Sequence, residues 1–255
     1  MSKEVAKLNA QELANIEALA SMELGTADGF SKVDLSNSTI PFLKLIQSIS
    51  PEVKKSKSEF VEGAEEGVFL NSVVKTVYGN SVRVIPIYFD VNYLAWKPNR
   101  GGFAGRMSVA EAEKATISKE FGKWEDMDGN ALVETFMYYF LLPDFLEDGM
   151  LAMAYSSSNL KVAKQFNTLV TRKYFPNTTK LARCFTQVYN MKSVAVSNDK
   201  GDWVQPSFKF DSFVTPEVMQ IALDAFKSVG EIKVDFANAD SGTKPYDVET
   251  ESADF

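Results

Sequence analysis

GMLAMAYSSSNLKVAKQFNTLVTRKYFPNTTKLARCFTQVYNMKSVAVSN, residues 149–198, divides by its apolar periodicity into a strand, a helix and a second strand. Residues 150–155 form a short apolar run of strand length. In residues 157–175, Val162, Phe166, Leu169 and Val170 fall on one side of a 3.6-residue period. Lys161, Lys164, Thr168 and Arg172 fall near the opposite side, and Pro176 stops the helix. Residues 181–196 return to a period of two, with Phe185, Gln187, Tyr189 and Met191 on one face. Phe166 is therefore expected in the core. The basic stripe opposite it fits either a solvated helix face or a phosphate contact.

Upstream, residues 68–77 and 82–96 read as a hairpin across the turn Tyr78-Gly79-Asn80-Ser81. The second strand is apolar on both faces, as in a barrel or buried sheet, and Pro86 within it implies a bulge or an edge. Before them, residues 40–49 suit either a short helix or an extended segment, and Lys54, Lys55 and Lys57 read as a solvated loop. KPNRGGFAGR, residues 97–106, is a flexible cationic loop. It is not a P-loop, because its lysine does not follow the glycines and no Ser or Thr comes next.

Residues 109–121 suggest a short charged helix. Asp128-Gly129-Asn130 is a tight-turn signal ahead of a strand over 133–142. Asp126 and Asp128 also hint at calcium, but no glutamate stands where an EF-hand loop would close. Asn198-Asp199-Lys200-Gly201 turns the chain into a strand over 203–214. Thr215 as N-cap and Pro216 at the first position open a last helix to Val229. The order predicts a mainly β fold with helices (α+β), an OB-fold-like five-stranded barrel with a helix between strands three and four, plus flanking helices.

The charge is concentrated at the ends. Residues 1–36 carry Lys3, Lys7 and Lys32 against Glu4, Glu12, Glu17, Glu23, Asp28 and Asp34, a net of −3. Residues 231–255 carry Lys233 and Lys244 against Glu231, Asp235, Asp240, Asp247, Glu249, Glu251 and Asp254, a net of −5. The whole chain is −7, so residues 37–230 are close to neutral at +1, and residues 149–198 contain no Asp or Glu at all. Asn9 and Glu12 resemble a capping box, Leu13, Ile16, Ala20 and Leu24 form a helical apolar stripe, and Gly25 is a fitting stop. We read residues 1–38 as a helical arm and linker that docks on the body or joins a second copy. Residues 39–230 are the body, and 231–255 a disordered acidic tail.

Composition excludes several chemistries. The chain has 255 residues, no histidine and a single cysteine, Cys184. The usual zinc sites, the Ser-His-Asp triad and the Cys-His pair cannot be built from it. An enzyme would need carboxylates, Lys, Tyr or a carboxylate-held magnesium; none of these forms a compact cluster, and no metal or cofactor is expected. There is no apolar run of membrane-span length and no apolar block of a signal peptide. One cysteine permits no internal disulfide, which is compatible with a reducing cytoplasm.

Within residues 149–198, cations and rings are interleaved. The combination suits a single-stranded nucleic acid, cations for phosphates and flat rings for exposed bases, and it also occurs in ordinary folded proteins. The expected phosphate contacts are Lys161, Lys164, Arg172, Lys173, Lys180 and Arg183, with Lys97, Arg100 and Arg106 closing from the glycine-rich loop. Bases would stack on a subset of Tyr93, Trp96, Phe103, Tyr174, Tyr189 and Trp203, several of which must belong to the core.

The last residues, Tyr246-Asp247-Val248-Glu249-Thr250-Glu251-Ser252-Ala253-Asp254-Phe255, place a ring on the final position behind an acidic run. This ending resembles the single-stranded DNA-binding proteins of tailed bacteriophages, in which an OB-fold body precedes an acidic tail ending in Phe. IPFLKLIQSISPEV, VIPIYFD and SSSNLKVAKQFNTLV also look like phage early-region proteins of that kind. Bacterial counterparts end in Pro-Phe, and this chain lacks that proline. The resemblance implies a role in replication and recombination in the cytoplasm of the infected bacterial host. It implies that the tail lies in the cationic groove until DNA displaces it. Glu249, Glu251, Asp254 and Phe255 are then free to dock on phage or host replication and recombination proteins. A strand-annealing protein assembling through the N-terminal arm, a magnesium nuclease, and a virion or host-interaction protein that never meets DNA are the other readings.

Overall fold

The computed structural model describes residues 40–99, 101–119, 123–199 and 201–229. The expected arm and linker, the acidic tail, Arg100 and Phe121 lie outside the described residues. The strands are β1 (Leu43–Leu45), β2 (Phe69–Asn71), β3 (Val77–Gly79), β4 (Ser81–Trp96), β5 (Phe103–Ser108), β6 (Thr116–Ser118), β7 (Trp124–Asp126), β8 (Ala131–Leu141), β9 (Leu151–Ser156), β10 (Gln187–Asn198) and β11 (Gly201–Phe213). The helices are α1 (Val109–Ala115), α2 (Leu160–Thr171) and α3 (Pro216–Ser228).

The fold is mainly β, and β4 is its spine. β8 pairs along one edge of β4 from Ile85 to Trp96. On the other edge, β10 takes the first residues up to Val84, and β5 takes the last from Asn92. β9 adds to β8, β11 to β10, and β7 and β6 extend beyond β8, all antiparallel. The irregularity expected at Pro86 occurs between Pro86 and Tyr88. It lets Val82, Val84, Phe89 and Val91 share the core beneath α2, while Ile85, Ile87, Leu94 and Trp96 join the core beneath α3. Burial on both faces explains why β4 and β8 are apolar nearly throughout.

The expected five-stranded barrel is not found. The run β9-β8-β4-β10-β11 is continuous, with α2 between β9 and β10, but no hydrogen-bonded pair joins β9 to β11. Residues 41–47 lie there instead. Pro41 accepts from the Ala152 N–H at 2.8 Å, and Phe42 bridges Ala152. The Gln47 amide clamps Val204, donating to its carbonyl at 2.9 Å and accepting from its N–H at 3.0 Å. This segment occupies the edges that barrel closure would need. The sheet also has eight strands rather than five, because the connection from β4 to β8 supplies β5, β6 and β7.

Three further boundaries differ from expectation, each for a local reason. The apolar run 68–77 is not one strand: the buried Asn71 side chain accepts from the N–H groups of Val73 and Val74, turning the chain. β2 and β3 therefore pair with each other, and β1 completes a separate three-stranded sheet. The helix expected over 109–121 ends at Ala115 and gives way to β6. The strand expected from 181 begins only at Gln187, because the Thr186 N–H and hydroxyl both bond the Arg183 carbonyl in a 3-10 turn. Cys184 is half-buried, and its thiol donates to the Ile87 carbonyl at 3.4 Å.

The turn between β7 and β8 is held by Asp126, a buried residue that accepts from the N–H groups of Asp128 and Asn130 and from the Asn130 amide. Burial pushes its carboxyl up, but those hydrogen bonds outweigh it and hold the group below the usual carboxylate range. Asp126→Ala is expected to cost about 1–3 kcal/mol. A group with a depressed folded pKa stabilises above its unfolded value and loses that contribution as pH falls through the folded one. Urea unfolding should therefore separate wild type from variant at neutral pH, and the difference should shrink as the pH falls through and below the ordinary carboxylate range.

Candidate nucleic-acid interface

Beyond α2 the chain forms a short two-stranded ribbon. The Phe175 N–H donates to the Lys180 carbonyl at 3.0 Å, and the Ala182 N–H to the Lys173 carbonyl at 2.8 Å. Tyr174 and Leu181 are bridged opposite each other between these bonds. Side chains alternate across such a ribbon. Its inner face packs on β11: Lys173 Nζ lies 3.2 Å from the Phe210 ring centroid, the Phe175 and Phe213 centroids are 5.0 Å apart, and Ala182 is buried. Its outer face presents Arg172, Tyr174, Leu181 and Arg183. Tyr174 is 52% exposed and Leu181 47%, and both arginines are exposed. The exposed Arg172 and Arg183 adjoin this pair in the chain, two residues from Tyr174 and Leu181 respectively.

Gln187, which is fully buried, fixes this ribbon to the sheet. Its amide nitrogen donates to the carbonyls of Val170 at 3.1 Å, Ala182 at 3.0 Å and Arg183 at 3.3 Å. Two N–H bonds serve three acceptors, so one is shared. The Tyr189 hydroxyl donates to Gln187 Oε1 at 2.6 Å and sets the orientation of the amide. The end of α2 and the second limb of the ribbon therefore meet on one side chain. The alternation puts Gln187 on one face with Phe185, Tyr189 and Met191, and does not say that the face is buried or which groups Gln187 meets.

α2 continues the positive surface. Lys161, Lys164, Thr168 and Arg172 are exposed along one stripe, and Phe166 and Ala163 are buried on the other. Lys161 stands in the first turn, where the helix dipole disfavours a cation by about 0.3–1 kcal/mol. Among the described residues, none of Lys161, Lys164, Arg172, Lys173, Lys180 and Arg183 makes an ion pair. Lys44 pairs with Glu52, Arg83 with Asp144 and Asp211, and Lys227 with Asp224. Lys54, Lys55, Lys57, Lys75, Lys97, Lys192 and Lys209 also make no ion pair among the described residues. It is therefore the clustering of the cations on α2 and the ribbon that sets them apart.

Other expected contacts are placed differently. Arg106 is on β5, not in a loop, and its guanidinium bonds Asn92 at 2.6 Å and Asp90 at 3.1 Å. Lys97 is exposed at the tip of the β4–β5 hairpin. Roughly 40 Å of strand separates that tip from Val84, where β10 attaches, so this loop does not close over the ribbon. Tyr93, Trp96 and Tyr189 are 7%, 3% and 0% exposed and cannot offer a face to a base. Tyr93 stacks on Trp124, and burial pushes the Tyr189 phenol up to about 12. Lys173 is held over Phe210 and serves the core. Phe103 is half-buried against Trp96, and Trp203 is half-buried on β11 with its indole N–H lacking an acceptor among the described residues. Glu249, Glu251, Asp254 and Phe255 lie outside the described residues.

The model of the Pam3 phage gp34-like protein family matches residues 9–235. The chain belongs to that family. It is accordingly a bacteriophage protein, and the match spans the whole described body while ending before the Phe-terminated tip. No curated protein and no solved structure matches this gp34-like chain. Among its described residues, no helix is long and apolar enough to cross a membrane, and no group of His, Cys, Asp and Glu could hold a metal ion.

Proposed function

We propose that this gp34-like protein is a non-enzymatic single-stranded DNA-binding protein. It would coat DNA during phage replication and recombination in the cytoplasm of the infected host. The observation that carries the reading is the outer face of the ribbon, Arg172, Tyr174, Leu181 and Arg183, cations and a ring on a braced support with no carboxylate between them. A phosphate meets each arginine and a base meets the tyrosine, which binds any sequence. The position of Lys161 supports it: a cation in the first turn is a local cost that a phosphate would offset. The order of β4, β8, β9, α2, β10 and β11 supports an OB-type body, with residues 41–47 filling the place of direct closure. The acidic tail then acts as a detachable competitor for the same cations and recruits replication and recombination proteins through Phe255. The N-terminal arm provides contacts between copies.

Fluorescence anisotropy of a labelled oligo-dT tests this reading. Binding should be tight at low salt, weaken steeply with added salt, and strengthen when the chain is cut after Gly230. No binding by either form at low salt would remove the proposal, and the acidic ends would then be read as contacts for a protein partner. Lys161→Glu separates function from stability. It should raise the melting temperature slightly by relieving the dipole conflict, yet weaken oligo-dT binding. A parallel loss of both would mean that Lys161 serves the fold.

A further inference from the structure

The other end of α2 carries a second aromatic surface. Lys164 Nζ lies 5.9 Å from the Phe136 ring centroid. Phe136 meets Phe89 edge-to-face, with centroids 5.2 Å apart and planes at 84°. Phe136 is nearly buried, whereas Phe89 and its neighbour Val91 are half-buried at the rim of the core under α2. The sheet is incomplete at this point. β10 leaves β4 at Val84 and β5 joins it at Asn92. Residues 184–186 pack on the edge just beyond Val84, with the Cys184 thiol on the Ile87 carbonyl. No strand pairs with residues 88–91 on that edge. The exposed stripe Lys164, Thr168, Arg172 leads from this rim to the ribbon.

We propose that Phe89, backed by Phe136 and flanked by Lys164, is a second stacking site that takes an unpaired base of the strand held on the ribbon. This inference rests on the single-strand reading of the ribbon. Lys164 and Arg172 are about 12 Å apart along the helix, so Phe89 and Tyr174 receive different bases of one strand. Its phosphates follow the helix stripe between them. Glu134, next on the same face of β8, marks the limit of the track, because a phosphate beyond Lys164 would meet a carboxylate.

The test uses the full chain and oligo-dT. Phe89→Leu keeps an apolar side chain at the rim but removes the flat face. It should weaken binding about tenfold, a typical loss for one stacked base, with the salt slope unchanged. The loss should vanish on an oligonucleotide too short to span α2. In the wild-type chain, an oligonucleotide carrying 5-iodouracil should photo-crosslink to the peptide containing Phe89 as well as to that containing Tyr174. Wild-type affinity in Phe89→Leu, or crosslinks confined to the Tyr174 peptide, would overturn the second site while leaving the ribbon standing. Wild-type chain that binds no oligo-dT would overturn both.

Discussion

Arg172, Lys180 and Arg183 changed together to alanine should lower oligo-dT affinity by roughly two orders of magnitude at about 50 mM salt. Each phosphate contact on a single strand contributes about 0.7 to the slope of log affinity against log salt, so three lost contacts flatten it by about 2. None of these side chains is buried, and none makes an ion pair among the described residues. Unfolding stability should therefore stay within about 0.5 kcal/mol of wild type. An unchanged slope would place the phosphates elsewhere on the molecule. The single change Tyr174→Ala behaves differently, since it removes a stacking face and not a charge: affinity falls while the slope holds.

Phe166→Ala has the largest expected effect on stability. The ring is 1% exposed, stacks on Phe208 at 3.9 Å, meets Tyr189 edge-to-face at 5.1 Å, and lies 5.5 Å from Tyr138. Those contacts attach α2 to β8, β10 and β11 together. Truncation should cost about 3–5 kcal/mol, a large part of the roughly 5–15 kcal/mol that holds a domain folded. Denaturant unfolding measures it, and a loss below about 1 kcal/mol would mean that α2 is anchored by Gln187 and Tyr138 instead. Because the proposed binding stripe rides on this helix, any DNA affinity should fall with stability here, unlike in the charge variants.

What the sequence reveals of this molecule follows the range of the interactions involved. The amphipathic period of α2, the Asp128-Gly129 turn, Pro86 at an irregularity and Pro216 at a helix start are local, and the chain states them in adjacent residues. The boundaries that differ from expectation are also local, but they depend on side chains that compete with the backbone. Asn71 breaks a valine-rich run, and Thr186 keeps residues 184–186 out of β10. Valine propensity loses there to a hydrogen bond it cannot anticipate. Among the site residues, Arg172, Tyr174 and Arg183 could be proposed from composition, whereas the sides they face depend on the Tyr174–Leu181 pairing. Burial of Tyr93, Trp96 and Tyr189 depends on strands far away in sequence. Phe89 is not legible as a site in the sequence, because an aromatic in an apolar strand carries no mark of being at a rim.

Gln47 and Val204 stand 157 residues apart. At about 5–20 residues per second of synthesis, residues 41–47 leave the ribosome roughly 10–30 s before the strand they clamp. During that interval β9 and β11 cannot both be capped, and the first-made part of the body has nothing to settle against. Long-range closure of this sort slows folding and leaves unpaired edges open to other chains. In a host filling with newly made phage protein, the nascent chain is thus most exposed to aggregation just before residue 204 emerges. A ribosome-bound chaperone would have its greatest effect on yield at that stage.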